Sequence, residues 1–285
     1  MISLSNKYTF EYVAASGALG FDGKGYIWEK PLKYIGLFDT NLLTPITKTL
    51  TLQKRKGNFR WWKPWDTVKL IEDGVVNSIG LSNHGLIPWA KENTNFNGIV
   101  SIYPKDDEEA IYMANMLELH TKNIVGIELN ISCPNALDLC NFDKFPVDLL
   151  LKSIKDNTNI PVILKISCAN NLEELFPKVE KYIEAISINS VPWRYVFDTC
   201  SPLSKYGDGA VSGKKAQKYN WELIRKLKLK TEIPIIGCSV WEYCDIQKLY
   251  DMGCEGIGFG SIFLRYPLRP TLYIKRRENE NKNIY

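Results

Sequence analysis

From Gly98 to the C-terminus the chain repeats one pattern: a short apolar run, a turn, then an amphipathic stretch of helical period. The apolar runs are residues 99–103, 124–132, 161–167, 185–191, 233–237 and 256–261. The helical stretches are 106–119, 147–156, 172–183, 215–228 and 245–252, followed by a charged terminal helix. Strands separated by helices at this spacing form βα units, and their strands lie parallel because each helix carries the chain back. Two earlier segments, 10–15 and 45–52, bring the strands to eight; the second alternates Thr or Lys with apolar residues, the period of a half-buried strand. The expected fold is α/β, a (β/α)8 TIM barrel forming a single domain over residues 1–285, with a doubly wound open sheet as the alternative.

In a barrel the C-terminal ends of the strands share one face, where ligands bind. Those ends here carry Ser16, Lys48, Ser101, Asn130, Lys165, Asn189, Gly237 and Gly260. Lys165 sits inside the apolar run 162–166, where a lysine is costly without a partner. It either reaches the rim with its stem buried or faces an anionic ring or phosphate, and the second reading is preferred.

Composition excludes more than it selects. Net charge is +4, from 36 basic and 32 acidic side chains, too mild and dispersed to point to nucleic acid. No apolar run approaches the roughly 18 residues of a membrane span. The first nine residues lack a signal peptide's apolar core, so a cytoplasmic protein is expected. All seven cysteines lie from Cys133 onward with no CxxC pair, and with two histidines no metal site is expected.

One stretch is chemically unusual: Ile127-Glu128-Leu129-Asn130-Ile131-Ser132-Cys133-Pro134-Asn135. As a strand it places Glu128 and Asn130 on one face and Ile127, Leu129 and Ile131 on the other. Pro134 cannot continue a ladder, which leaves Cys133 at the strand mouth. Taken alone, these residues fit a structural thiol and a turn; they also fit a reactive cysteine flanked by two amides.

The Asn130–Asn135 segment resembles the Asn-x-Ser-Cys-Pro-Asn loop of the class 1 dihydroorotate dehydrogenases. The likeness recurs in order along the chain. Thr47-Lys48-Thr49 followed by Arg55-x-Gly57-Asn58 resembles that family's second strand and loop, and Asn77-Ser78-Ile79-Gly80-Leu81-Ser82-Asn83 resembles its Asn-x-x-Gly-Leu-x-Asn. Gly209-Ala210-Val211-Ser212-Gly213 resembles its Gly-Gly-x-Ser-Gly. Gly237-Cys238-Ser239-Val240 departs from its Gly-x-Gly-Gly phosphate loop, and Gly260-Ser261 stands where it has Gly-Thr.

The resemblance implies FMN-dependent oxidation of dihydroorotate to orotate in pyrimidine synthesis, with Cys133 as the base and the flavin as hydride acceptor. It implies that Asn77, Asn130, Asn135, Asn189 and Ser190 hold the pyrimidine, that Ser78, Ile79, Gly80 and Leu81 wrap it, and that Lys48 meets its carboxylate. FMN would be held by Ser16, Gly17, Lys48, Thr49, Ser101, Asn130, Lys165, Ile188, Gly213, Gly237, Ser239, Gly260 and Ser261. The expected partners are the small-molecule substrate, a second copy in a homodimer, or a separate iron–sulfur electron-transfer subunit; neither nucleic acid nor membrane is expected. Rival readings are a uracil-type dihydropyrimidine dehydrogenase module and a flavin-free, non-catalytic barrel. Trp61, Trp62 and Trp65 are expected to serve loop packing or a subunit contact.

Overall fold

A computed structural model describes residues 1–132 and 146–282. Eight strands form one parallel sheet: β1 (Tyr12–Ala14), β2 (Thr44–Pro45), β3 (Gly98–Ile102), β4 (Ile124–Asn130), β5 (Val162–Ile166), β6 (Ala185–Ile188), β7 (Ile235–Gly237) and β8 (Gly256–Phe259). Their spatial order is β2-β1-β8-β7-β6-β5-β4-β3. Parallel bridges at Ile46–Ile99 and Leu50–Ile102 join the two ends of that order, so the sheet rolls into a barrel. Among the described residues a helix covers the return from each strand: α1 (Lys30–Tyr34), α2 (Leu86–Glu92), α3 (Asp107–His120), α4 (Val147–Asn157), α5 (Leu172–Val179), α6 (Gln217–Lys228), α7 (Cys244–Asp251) and α8 (Arg269–Lys282), with single helical turns at Trp193–Val196 and Ile262–Arg265. The expected (β/α)8 architecture is what the chain adopts.

Local chemistry sets the element ends. Asp106 caps α3 by accepting from Glu109 N (2.8 Å), with three acids in the first turn where the helix dipole favours them. Helix α5 stops earlier than its pattern suggests: Pro177 lies inside it, and the chain tightens into a 3-10 turn over Glu180–Tyr182. Strand β2 is also shorter than expected. Thr47 Oγ1 accepts from Ser101 N (2.9 Å) and Lys48 N donates to Gly20 O (2.9 Å), so bonds to a side chain and a loop interrupt the ladder beyond Pro45 and leave isolated bridges there.

Apolar packing occurs on both sides of the barrel wall. Ile127, Leu129, Leu164, Ile166 and Ile186 pack against the helices. Ile46, Ile99, Ile163 and Ile236 fill the interior together with Ile2, Leu4 and Phe10 of the N-terminal hairpin, which pairs Ile2–Ser3 with Thr9–Phe10. The opposite end of the interior is polar, and it lies at the C-terminal ends of the strands.

A second sheet was not legible in the sequence. Val68–Ile71 and Gly74–Asn77, inserted after β2, pair antiparallel with Ala210–Gly213 and Val191–Pro192, inserted after β6. Strands β2 and β6 stand opposite each other in the ring, so this sheet spans the C-terminal side. Trp61, Trp62 and Trp65 lie just before it and are exposed (79%, 55% and 61%), which leaves loop packing without support as their role. Among the described residues no helix is long and apolar enough to cross a membrane.

Candidate active site

The polar end of the barrel is organised by β4. Glu128 and Asn130 share its inward face, as the alternation predicts, and both are buried. Glu128 accepts from Ser101 Oγ (2.7 Å) and Ser187 Oγ (2.7 Å) and forms an ion pair with Lys165 Nζ (3.3 Å). Three strands, β3, β5 and β6, are thereby tied to one carboxylate. Ser101 Oγ also meets Thr49 Oγ1 (2.9 Å), which accepts from Asn130 Nδ2 (2.9 Å) and contacts Ser16 Oγ (3.2 Å). Asn130 Oδ1 in turn receives Ser132 N (3.1 Å) and Ser132 Oγ (2.7 Å), and Asn189 Nδ2 donates to Ser132 Oγ (2.8 Å). The sequence reading treated Lys165 as a cation awaiting an anionic ligand; its first partner is Glu128, whose role that reading missed. The signal was a second charged residue in a buried run, on the face shared with Asn130.

Lys48 is different. Among the described residues no carboxylate lies within ion-pair distance of its Nζ, which sits over the rings of Phe21 (5.3 Å) and Phe59 (5.4 Å). Burial without a counter-ion disfavours the ammonium and pushes its pKa down to about 8. Gly17, in a left-handed turn (φ +81°), brings its backbone against the Lys48 stem, and a Cβ there would lie 3.4 Å from Lys48 Cγ. This is a cation arranged to receive an anion.

The Asn77–Asn83 segment forms a fixed turn. Gly80 and Leu81 both have positive φ (67° and 53°), which glycine supplies freely and leucine only under constraint. Asn58 Nδ2 donates to Ser78 O (3.0 Å), Asn58 N to Ile79 O (2.9 Å) and Arg55 Nε to Gly80 O (2.9 Å). With three carbonyls engaged, the N–H groups of Gly80 and Leu81 have no acceptor among the described residues. Asn83 is structural: its Oδ1 accepts from Gly85 N (2.8 Å) and its Nδ2 donates to Leu81 O (2.7 Å). Ser78 is buried and donates to Tyr206 O, and Asn77 ends its strand. His84 is half-buried with its ring edge-on to Phe21 (4.8 Å) and its Nε2 unpartnered among the described residues.

The ends of β7 and β8 form a third region. Ser239 adopts φ +65°; Asn220 Nδ2 donates to its hydroxyl (3.0 Å) and Gln217 Nε2 to its carbonyl (2.9 Å). The N–H groups of Cys238, Ser239, Val240, Gly260 and Ser261 have no acceptor among the described residues, and the buried Asn220 Oδ1 has no partner there either. A run of unclaimed N–H groups around a left-handed residue is a fit for a phosphate. Ser239 thus takes the left-handed conformation that a glycine would adopt freely, held there by Asn220 and Gln217 of α6. Gly213 has a packing reason of its own: a Cβ there would meet Trp241 Cζ3 at 2.7 Å, and its φ is +90°. Gly213→Ala is expected to cost about 2–4 kcal/mol, from left-handed strain plus overpacking, as measured by denaturant unfolding.

The structure therefore brings Ser16, Thr49, Ser101, Asn130, Lys165 and Asn189 into one connected network, with Lys48 reached through Thr49 and Gly17. Ser190 Oγ bonds Asn189 Oδ1 (3.4 Å), and Ile188 is buried just before them. Gly237 packs on α7 and β8, where a Cβ would meet Cys254 Sγ at 2.9 Å. Cys133 and Asn135 lie outside the described residues.

A family model described as "Dihydroorotate dehydrogenase" matches residues 15–240. The chain is 28% identical over 264 residues to the "Dihydroorotate dehydrogenase B (NAD(+)), catalytic subunit" of Caldicellulosiruptor saccharolyticus, covering 88% of this chain and 83% of that one. It is 29% identical over 269 residues to the protein of the same name from Streptococcus pneumoniae, covering 87% and 81%.

Proposed function

The chain belongs to the dihydroorotate dehydrogenase family, and from that premise we propose that it oxidises dihydroorotate to orotate in pyrimidine biosynthesis at the C-terminal mouth of its barrel. The FMN on which this family depends supplies the hydride acceptor when bound. Ser239, Gly260 and Ser261 hold its phosphate, Ser16, Gly17, Ser101 and Lys165 its ring system. Asn77, Asn130 and Asn189, with Asn135 and Ser190, take the donors and acceptors of the pyrimidine, whose imide edge complements a side-chain amide. Cys133 removes the carbon-bound proton as a thiolate.

Lys48 carries the choice of substrate. A largely buried cation without a carboxylate partner among the described residues, its Nζ over the rings of Phe21 and Phe59, is costly unless an anion completes it. The substrate's carboxylate does so; uracil has none. This favours the dihydroorotate reading over a uracil-type module, and a flavin-free scaffold gives the free N–H groups near Ser239 no role. The purified protein is expected to show bound-flavin absorbance and to oxidise dihydroorotate but not dihydrouracil. A colourless protein that takes up no FMN, or equal turnover of both substrates, would defeat the proposal.

A pH dependence follows with a definite sign. The Lys48 pKa is depressed to about 8 in the free protein, and a bound carboxylate favours the ammonium and raises it. Orotate binding then takes up a proton above pH 8. Affinity is full below about pH 8 and falls as pH rises, approaching roughly tenfold per unit. Titrating orotate across that range by the flavin spectrum checks this; a flat profile would exclude Lys48 as the carboxylate's partner.

The relatives named above are catalytic subunits, which implies a partner subunit. We place a homodimer contact at the exposed Trp61, Trp62 and Trp65, and electron transfer onward in a separate iron–sulfur subunit. Interfaces favour tryptophan, and loss of dimerisation in a Trp61→Ser, Trp62→Ser double variant measures the first assignment.

A further inference from the structure

We propose that Glu128 is a positioning residue for the redox step: it holds in place the Lys165 ammonium that would meet the flavin, so that the preference of the site for reduced flavin depends on this carboxylate acting through that lysine. The inference rests on the reading above that Lys165 faces the flavin.

Three observations carry it. Glu128 is fully buried and Lys165 nearly so, at 0% and 6% exposure, so neither charge has water to fall back on. The pair meets at 3.3 Å, and both Glu128 oxygens are fixed by short bonds from Ser101 Oγ and Ser187 Oγ at 2.7 Å. The carboxylate and its three partners sit on four different strands, β3 to β6, in parallel register, Asn130 standing opposite Lys165 and Glu128 opposite Ile163. A carboxylate needed only to neutralise a lysine would not need two serine hydroxyls fixing its plane. Fixing that plane fixes the ammonium. Removing one partner of a buried pair leaves the other uncompensated, and an uncompensated buried lysine gives up its charge or its position.

The sign of the effect separates this role from a direct field. A carboxylate acting on the flavin by its own charge opposes reduction, so its removal raises the midpoint potential. A carboxylate acting through Lys165 supports the cation that stabilises reduced flavin, so its removal lowers the potential.

The test is spectroelectrochemical, on the FMN-loaded protein. Lys165→Met is expected to lower the potential. Glu128→Gln is expected to lower it in the same direction, with at least a tenfold loss in preference for reduced over oxidised flavin, about 30 mV for a two-electron couple. The double variant is expected to match Lys165→Met alone. A rise in Glu128→Gln, no shift, or an undiminished shift in the Lys165→Met background would each overturn the inference. No response to Lys165→Met would instead remove Lys165 from the flavin, and the inference with it. If Glu128→Gln does not fold, Ser101→Ala and Ser187→Ala keep the charge and loosen its plane; each is expected to give a smaller fall, and an unchanged potential in both would overturn the proposal.

Discussion

Cys133→Ala is expected to reduce steady-state turnover by roughly 10²- to 10⁴-fold, the range that a positioned general base contributes, while FMN remains bound. The expectation rests on where the chain enters that residue. Asn130 Oδ1 holds both the N–H and the hydroxyl of Ser132, at 3.1 and 2.7 Å, and Asn189 Nδ2 grips the same hydroxyl from β6 at 2.8 Å. The backbone is therefore fixed from two strands at the last residue before the thiol. None of the groups assigned to the flavin phosphate is near in sequence to Cys133, so its loss leaves cofactor affinity intact. Cys133→Ser is expected to keep part of the activity, because a hydroxyl can still relay the proton. Rapid-mixing reduction by dihydroorotate, followed in the flavin absorbance, measures the step directly. A folded Cys133→Ala protein that loses its cofactor, or one that reduces flavin at the wild-type rate, would end the assignment of this residue as the base.

The barrel was legible because its strands and helices are local patterns. The burial of Glu128 and Asn130 on one face follows from a period of two, and Asp106 announces its helix by its own side chain. What could not be read is pairing at a distance. Glu128 finds its serine and lysine partners 27, 37 and 59 residues away, so the run around Lys165 looked like a lone cation in apolar surroundings. The antiparallel sheet escaped for the same reason: its strands are two to four residues long, and Val76 pairs with Val211 across two separate insertions. The loop at Ser239 shows the same limit. In sequence it is only a departure from Gly-x-Gly-Gly, whereas in the fold Asn220 and Gln217 hold the serine in the backbone conformation a glycine would otherwise adopt. Sequence alone prices that conformation as strain, because the helix that compensates it is not visible from the loop.

Lys48→Ala is expected to weaken orotate binding by the value of a charge-assisted hydrogen bond, about 1.5–3 kcal/mol, or roughly 10- to 150-fold. The ammonium lies over Phe21 and Phe59 with its stem against the Gly17 turn, and burial alone depresses its pKa to about 8. A carboxylate arriving there meets a half-buried cation whose ammonium is already partly desolvated, so the ion pair is worth more than one at an open surface. Truncation also removes a side chain one residue from Thr49, which belongs to the polar network of the barrel mouth, so damage to the shared site has to be separated from loss of the ion pair. A neutral ring such as uracil separates them, since it needs the same flavin surface and no cation. Orotate and uracil are therefore titrated side by side into wild type and variant through the flavin spectrum. A large loss confined to orotate is the expected outcome, and in the variant the fall of orotate affinity above pH 8 is expected to vanish, because the group that titrates there is gone. Equal losses for both ligands would trace the effect to the flavin site, and no loss for orotate would take the carboxylate away from Lys48 and return the uracil-type reading to first place.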